Sequence, residues 1–241
     1  ALAHFQRAIE IDPHQTHFWV NYANLLKDLG RPEEAEQAYL RAVDMDPNDP
    51  VTLYNLGFLY QLWGKWTQAL AWYRRSVDAE GGFLPGWNKL AATHLRLNQT
   101  AEAERAARRA IELAPDQAAG WFHLADCQGR AKDWAGSRAS LEKAIRLQPV
   151  FAEAHNNLGM TYRELGLKEE AVRCYQTALE QDPAMADPCV NLASFAEDAG
   201  DLDQAFQWLG RALQVDASNP QAHFAMGNFL VKVGRDQEGA S

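Results

Sequence analysis

Three cysteines, seven histidines and a scatter of paired carboxylates are the residues in this 241-residue sequence whose types could carry chemistry. Cys127, Cys174 and Cys189 are odd in number and make no CxxC spacing, so neither a redox pair nor a thiolate metal set can be drawn from them. They read as small apolar packers, and free thiols favour a reducing, cytoplasmic setting. The histidines lie far apart, and no HExxH, GxxxxGKS/T or GxSxG sequence occurs. Adjacent acids such as Glu169 and Glu170 suit the first turn of a helix, where they favour its dipole and stay solvated. These spacings predict no catalytic residue, no cofactor and no metal, and the segment is expected to be non-enzymatic.

What remains is binding. The formal charge of -9 at pH 7 argues against nucleic acid, because phosphates demand clustered Lys and Arg. The densest basic cluster, Arg105, Arg108 and Arg109, is offset by Glu102 and Glu104. No apolar run approaches the roughly 18 residues of a bilayer span, so no membrane association is expected. The same acidity points to basic segments as partners. A hydrophobic fraction of 47% supplies core for one large or two ordinary domains.

The elements that must position any binding groups are written repeatedly. NLGFLYQLWG at residues 55–64 returns as NLGMTYRELG at residues 157–166, three steps of 34 later. Related phrases start at Asn21 and Asn191, while at Lys89 and His123 the opening polar residue and closing Gly have drifted but the apolar skeleton survives. Pro13, Pro47, Pro115, Pro149 and Pro183 share the same register, with Gly81 and Ala217 at the two places where Pro is absent. A period of this length marks a repeat architecture. Each unit holds two helical stripes: Leu158, Gly159 and Tyr162 on a first helix, Ala171, Tyr175 and Ala178 on a second. Gly166 supplies the turn between them and Pro183 the stop. Gly159, Ala171 and Ala178 mark close approach of the paired backbones, with Tyr162 and Tyr175 filling the space beside them.

The pattern resembles the tetratricopeptide repeat, whose marker residues stand at positions 4, 7, 8, 11, 20, 24, 27 and 32 of a 34-residue unit. The unit starting at residue 16 carries Trp19, Tyr22, Ala23, Leu26, Ala35, Tyr39, Ala42 and Pro47 at these places, and the unit starting at residue 152 matches best. The implied fold class is all-α: a right-handed superhelical solenoid of antiparallel helix pairs. Its expected divisions are 1–15 (second helix of a partial repeat), complete repeats at 16–49, 50–83, 84–117, 118–151, 152–185 and 186–219, and 220–241 as a partial repeat with a first helix and the start of a second. The array is expected to be one continuous solenoid cut from a longer one, since polar capping elements are not visible at its ends.

In the family, first helices line a concave groove through positions 2, 5, 6, 9, 12 and 13. Position 6 reads Asn21, Asn55, Lys89, His123, Asn157 and Asn191 in successive complete repeats. An asparagine row can pair with the backbone of an extended peptide whatever its side chains. A similar row lines the superhelix of O-GlcNAc transferases, although Asn is also simply common at this position. Positions 5 and 9 add Tyr54, Phe122 and Asn156, and Asn24, Phe58 and Met160, which either form pockets for partner side chains or pack between neighbouring helices. The carboxylate clamp of chaperone-binding members is matched at Asn24, Asn55 and Lys89, but Val20 and Pro85 stand where it needs lysines. The resemblance implies a protein-protein interaction scaffold that binds an extended peptide or partner helix. The alternative is the substrate-recruiting arm of a larger glycosyltransferase, and unprotected ends would also allow self-association.

Overall fold

The computed structural model describes the backbone of residues 1–239 and the side chains of residues 1–234. The described residues form helices with no strand. After α1 (Leu2–Ile11) come α2 (Thr16–Asp28) and α3 (Pro32–Met45), α4 (Pro50–Leu62) and α5 (Trp66–Ala79), then α6 (Leu84–Arg96) and α7 (Thr100–Leu113). They are followed by α8 (Ala118–Arg130) and α9 (Trp134–Leu147), α10 (Ala152–Glu164) and α11 (Lys168–Gln181), α12 (Asp187–Asp198) and α13 (Leu202–Val215), and α14 (Pro220–Gly239). Two compact bodies result, Ala1–Cys127 and the residues from Gln128 onward. In each, a first helix packs most extensively against the second helix that follows it.

The turn inside each pair needs one left-handed residue. Gly30, Gly64, Gly166 and Gly200 supply it with φ between 68° and 78°. At the two drifted places Asn98 and Lys132 take the same conformation, with φ of 57° and 60°. The fold therefore keeps this turn even where glycine has been lost, and Lys132 bears a steric cost that glycine avoids.

Close backbone approach explains the small residues. A Cβ added to Gly57 would lie 2.8 Å from the Tyr73 ring, and one on Gly159 would lie 2.6 Å from Tyr175. These tyrosines, at position 24, are wholly buried over the glycines. Tyr162 does not share that space: its hydroxyl donates to Glu142 at 3.2 Å, and the Arg138 guanidinium lies 5.5 Å from its ring. In the pair α2 and α3, Ala23 meets the equally buried Tyr39, so glycine is one solution to the contact and not the only one.

Successive pairs are joined at position 4. Trp19, Trp87 and Trp121 each donate the indole N–H to the carbonyl six residues earlier, that of Pro13, Gly81 and Pro115, at 3.0 Å. His155 and His223 make the same contact to Pro149 and Ala217 at 3.3 and 3.0 Å. The rings that read as core packers thus also tie the start of these five repeats to the end of the one before, and histidine can replace tryptophan because both present a ring N–H; Leu53 and Cys189 hold position 4 without such a contact.

The partial repeat at 220–241 departs from expectation. Gly234, which occupies the turn position, stays within α14, and that helix continues to Gly239 without the expected break. The sequence after Gly234 carries no apolar stripe to hold a returning helix against α14. Residues 240–241 lie outside the described residues.

Two outcomes follow from this geometry. Gly159→Leu should lower stability by about 1–3 kcal/mol through overpacking against Tyr175, read as a fall in the thermal midpoint by circular dichroism. Lys132→Gly should raise that midpoint, by up to about 1 kcal/mol of relieved strain. An unchanged or lowered midpoint would show that the lysine is not strained there.

Candidate binding groove

The faces available to a partner depend on which helices line the inside of each stack. In the first body α2, α4 and α6 touch in series, and in the second α10, α12 and α14 do, whereas α3, α5 and α7 make no such contacts with one another. Neighbours crowd on the inner side of a curved stack, so the first helices form the inner row in each body.

Several predicted groove residues in the first body are brought together. Tyr54 of α4, Lys89 of α6 and His123 of α8 line one cavity of about 460 Å³, together with Asn88, Pro85 and Gln117. Phe58 lies beside it, with the Lys89 ammonium 5.2 Å from its ring centre and the Lys27 ammonium 5.3 Å from the same ring. Each such cation-aromatic contact contributes on the order of 0.5–2 kcal/mol, according to its desolvation. Burial holds the Lys89 pKa below its ordinary value. Burial first, and the Lys89 charge second, push the His123 pKa down to about 4. Its imidazole is therefore neutral near pH 7, and Phe122 places a ring edge-on to it at 5.6 Å. Asn21 is exposed and borders a separate cavity of about 430 Å³ with Val20 and Val51.

Other predicted residues are diverted into the structure. The Asn24 carbonyl oxygen accepts a 2.6 Å hydrogen bond from the buried Tyr39 hydroxyl, so it serves the helix pair. Gln61 does the same for Tyr73 at 2.8 Å. Tyr54 is half committed: its ring lies 5.6 Å from Tyr73 and 5.7 Å from Phe83. Asn156 requires a correction, because at 5% exposure it is buried and not presented to a partner. Position 5 points into the seam between neighbouring elements, as Tyr54 shows, and the smaller Asn156 is enclosed there. Its amide nitrogen is 4.0 Å from the Met160 sulfur, and its carbonyl oxygen has no hydrogen-bond partner. The Tyr175 hydroxyl is likewise buried and unpartnered, since positions 9 and 12 of α10 hold Met160 and Arg163, neither of which offers an amide oxygen.

On the inner row of the second body, Met160 is 41% exposed, while Asn157 and Asn191 are partly buried. Asn191 accepts a 3.0 Å hydrogen bond from Arg163 of α10, the preceding first helix. Asn55 is also partly buried on α4. Asn21 and Asn55 are thus reachable, whereas Asn157 and Asn191 already have interactions of their own. Lys27, Asn88 and Arg163 were not singled out from sequence. Lys27 and Arg163 stand at position 12 of the inner face, which was the available signal, and Asn88 stands at position 5.

The thiols are packed. Cys127 and Cys189 are buried, and burial pushes the Cys174 thiol up to about 11, so it is not a poised nucleophile. Among the described residues no cluster of His, Cys, Asp and Glu could hold a metal ion, and no helix is long and apolar enough to cross a membrane.

Paired helices, left-handed turns every 34 residues and an inner row of first helices define a helical repeat protein. The particular family is the tetratricopeptide repeat: models of that description match residues 152–185, 1–51 with 169–227, 38–71 and 88–149, and the chain belongs to it. Members of this family are in general protein-interaction scaffolds. Among curated proteins, photosystem I assembly protein Ycf3 of Prochlorococcus marinus is 30% identical over an alignment 94 residues long that covers 34% of this chain and 54% of Ycf3. The chain thus matches about half the length of that relative. Among solved structures, YrrB, described as a TPR protein with an unusual peptide-binding site, is 22% identical with a TM-score of 0.64, covering 78% of this chain and 97% of its own. A tetratricopeptide repeat protein from Parabacteroides merdae is 14% identical with a TM-score of 0.76, covering 95% and 91%. At those identities the likeness concerns the fold.

The His123 environment has a pH signature. Its folded pKa of about 4 lies below the unfolded value of about 6.5. Above that unfolded value both states are neutral and the contribution to stability is fully present. As pH falls from about 6.5 towards 4, only the unfolded state takes up the proton, and this contribution is lost. The thermal midpoint should therefore fall less over that range in His123→Gln than in the parent. Proton NMR of the His123 ring should show a midpoint well below 6, and one above 6 would mean a solvated ring.

Proposed function

We propose that this chain is a non-catalytic scaffold that binds an extended peptide or partner helix along its first-helix faces. The observation that carries this reading is the convergence of Tyr54, Phe58, Lys89 and His123 on an open inner face, where polar and aromatic groups adjoin a cavity. A packed core has no use for a cavity lined by a half-buried ammonium, and a purely solvated face would not gather these aromatics. YrrB, a protein of the same fold, is described as having a peptide-binding site, and Ycf3 as an assembly protein; both descriptions agree with a partner-binding role. The retained asparagines Asn21, Asn55, Asn157 and Asn191 would contact the partner's main chain. They also favour the second reading, in which the array recruits substrates for a larger glycosyltransferase.

Proximity crosslinking on the intact parent protein would identify the partner. Against that partner, Asn157→Ala combined with Asn191→Ala should weaken binding by about tenfold, the cost of one or two lost hydrogen bonds, and leave the thermal midpoint close to that of the parent. Equal affinities in a calorimetric titration would remove the asparagines from the site.

A further inference from the structure

In the second body the wholly buried Tyr175 carries a hydroxyl with no hydrogen-bond partner among the described residues. The same hydroxyl is satisfied in other repeats. Tyr39 and Tyr73 also stand at position 24, and they donate to the amide oxygens of Asn24 at position 9 and Gln61 at position 12. In α10 position 9 is Met160, whose thioether is only a weak acceptor. By repeat equivalence the Tyr175 hydroxyl belongs beside this side chain. A second donor meets Met160 from its own helix: the amide nitrogen of Asn156, one turn back and buried, lies 4.0 Å from the sulfur. Both donors therefore address a residue that lacks an oxygen.

Met160 is also the methionine that solvent reaches. It is 41% exposed, whereas Met45, Met185 and Met226 are partly buried. The thiols compete poorly for an oxidant, because Cys127 and Cys189 are buried and burial keeps Cys174 protonated at neutral pH. A hydroperoxide transfers one oxygen to a thioether: its O–O bond breaks, an S–O bond forms, the sulfur gives up two electrons and the peroxide leaves as water or an alcohol. The sulfoxide oxygen sits as many bonds from the backbone as the amide oxygen of glutamine. Such an oxygen usually disrupts a packed contact. Here it meets donors that have no better acceptor.

We propose that Met160 is an oxidation site for hydroperoxides, its sulfoxide oxygen accepting hydrogen bonds from the Tyr175 hydroxyl and the Asn156 amide. Oxidation completes the contact that α10 lacks and draws an exposed apolar side chain off the inner row. The assignment stands on the helix pair and does not require the groove reading.

The test treats the intact chain with dilute hydrogen peroxide and follows each methionine by peptide mass mapping. Met160 should gain one oxygen before Met45, Met185 and Met226 do. Circular dichroism should then show a thermal midpoint raised by about 2–4 °C, the shift that one gained hydrogen bond gives a chain of this size. Met160→Gln should raise the midpoint similarly without peroxide, and Met160→Asn, which copies Asn24, supplies the second measurement should the glutamine variant misfold. Met160→Leu, treated with peroxide in the same way, reports what the other methionines contribute. In Tyr175→Phe, which has no hydroxyl to satisfy, oxidation and Met160→Gln should both lose most of their gain. Earlier oxidation of the partly buried methionines, a midpoint unchanged or lowered by oxidation of Met160, or an equal gain in the Tyr175→Phe background would overturn the proposal.

Discussion

Everything in this molecule depends on how closely two helix backbones approach inside each pair. Where Gly57 lies under Tyr73 and Gly159 under Tyr175, the ring occupies the volume that a side chain would have claimed. The trade between small and large sets the spacing of the pair and so the direction in which its first helix faces. A second close approach works between pairs: a Cβ on Gly86 would meet Ser76 and Val77 at 2.7 Å, and one on Gly120 would meet Ile111 at 2.9 Å. With both spacings set by size, the inner faces of consecutive first helices come into register, and polar contacts such as Arg163 with Asn191 are added to that register.

Burying a tyrosine brings its hydroxyl with it, and that hydroxyl competes for the residues that would otherwise face a partner. Asn24 and Gln61 are spent on Tyr39 and Tyr73. In α10 the exchange fails, and the Tyr175 hydroxyl stays buried and unpartnered. Residues available for recognition are those that the core did not claim. This is why two cations, aromatics and a neutral imidazole stand out on the inner face of the first body, although its family pattern there is rich in amides.

Much of the fold was legible because packing of a repeated pair leaves a size signature in one dimension: Gly159, Ala171, Ala178 and the stop at Pro183 recur for a steric reason that sequence displays directly. The turn was legible at Gly30 and Gly166 but not at Asn98 and Lys132, since backbone conformation can be imposed on a residue that does not prefer it. The site was less legible. Whether position 5 is open or enclosed depends on the side chain across the seam, which is why Tyr54 borders a cavity and Asn156 does not. The pairing of Lys27 with Lys89 across Phe58 joins residues 31 and 62 apart in the chain, and a net charge summed over the whole sequence hides it.

The ring N–H at position 4 makes five of the described joints between repeats alike, whether the ring is that of Trp87 or His155; Leu53 and Cys189 stand at the other two. A joint that recurs in this form is interchangeable among the places that share it. One whole 34-residue cassette could be lost or duplicated between two such joints, and the ring that follows would still meet a carbonyl six residues behind it. The array can therefore change length without redesigning its connections, and its reach along a partner becomes a quantity that gene duplication can adjust in whole steps.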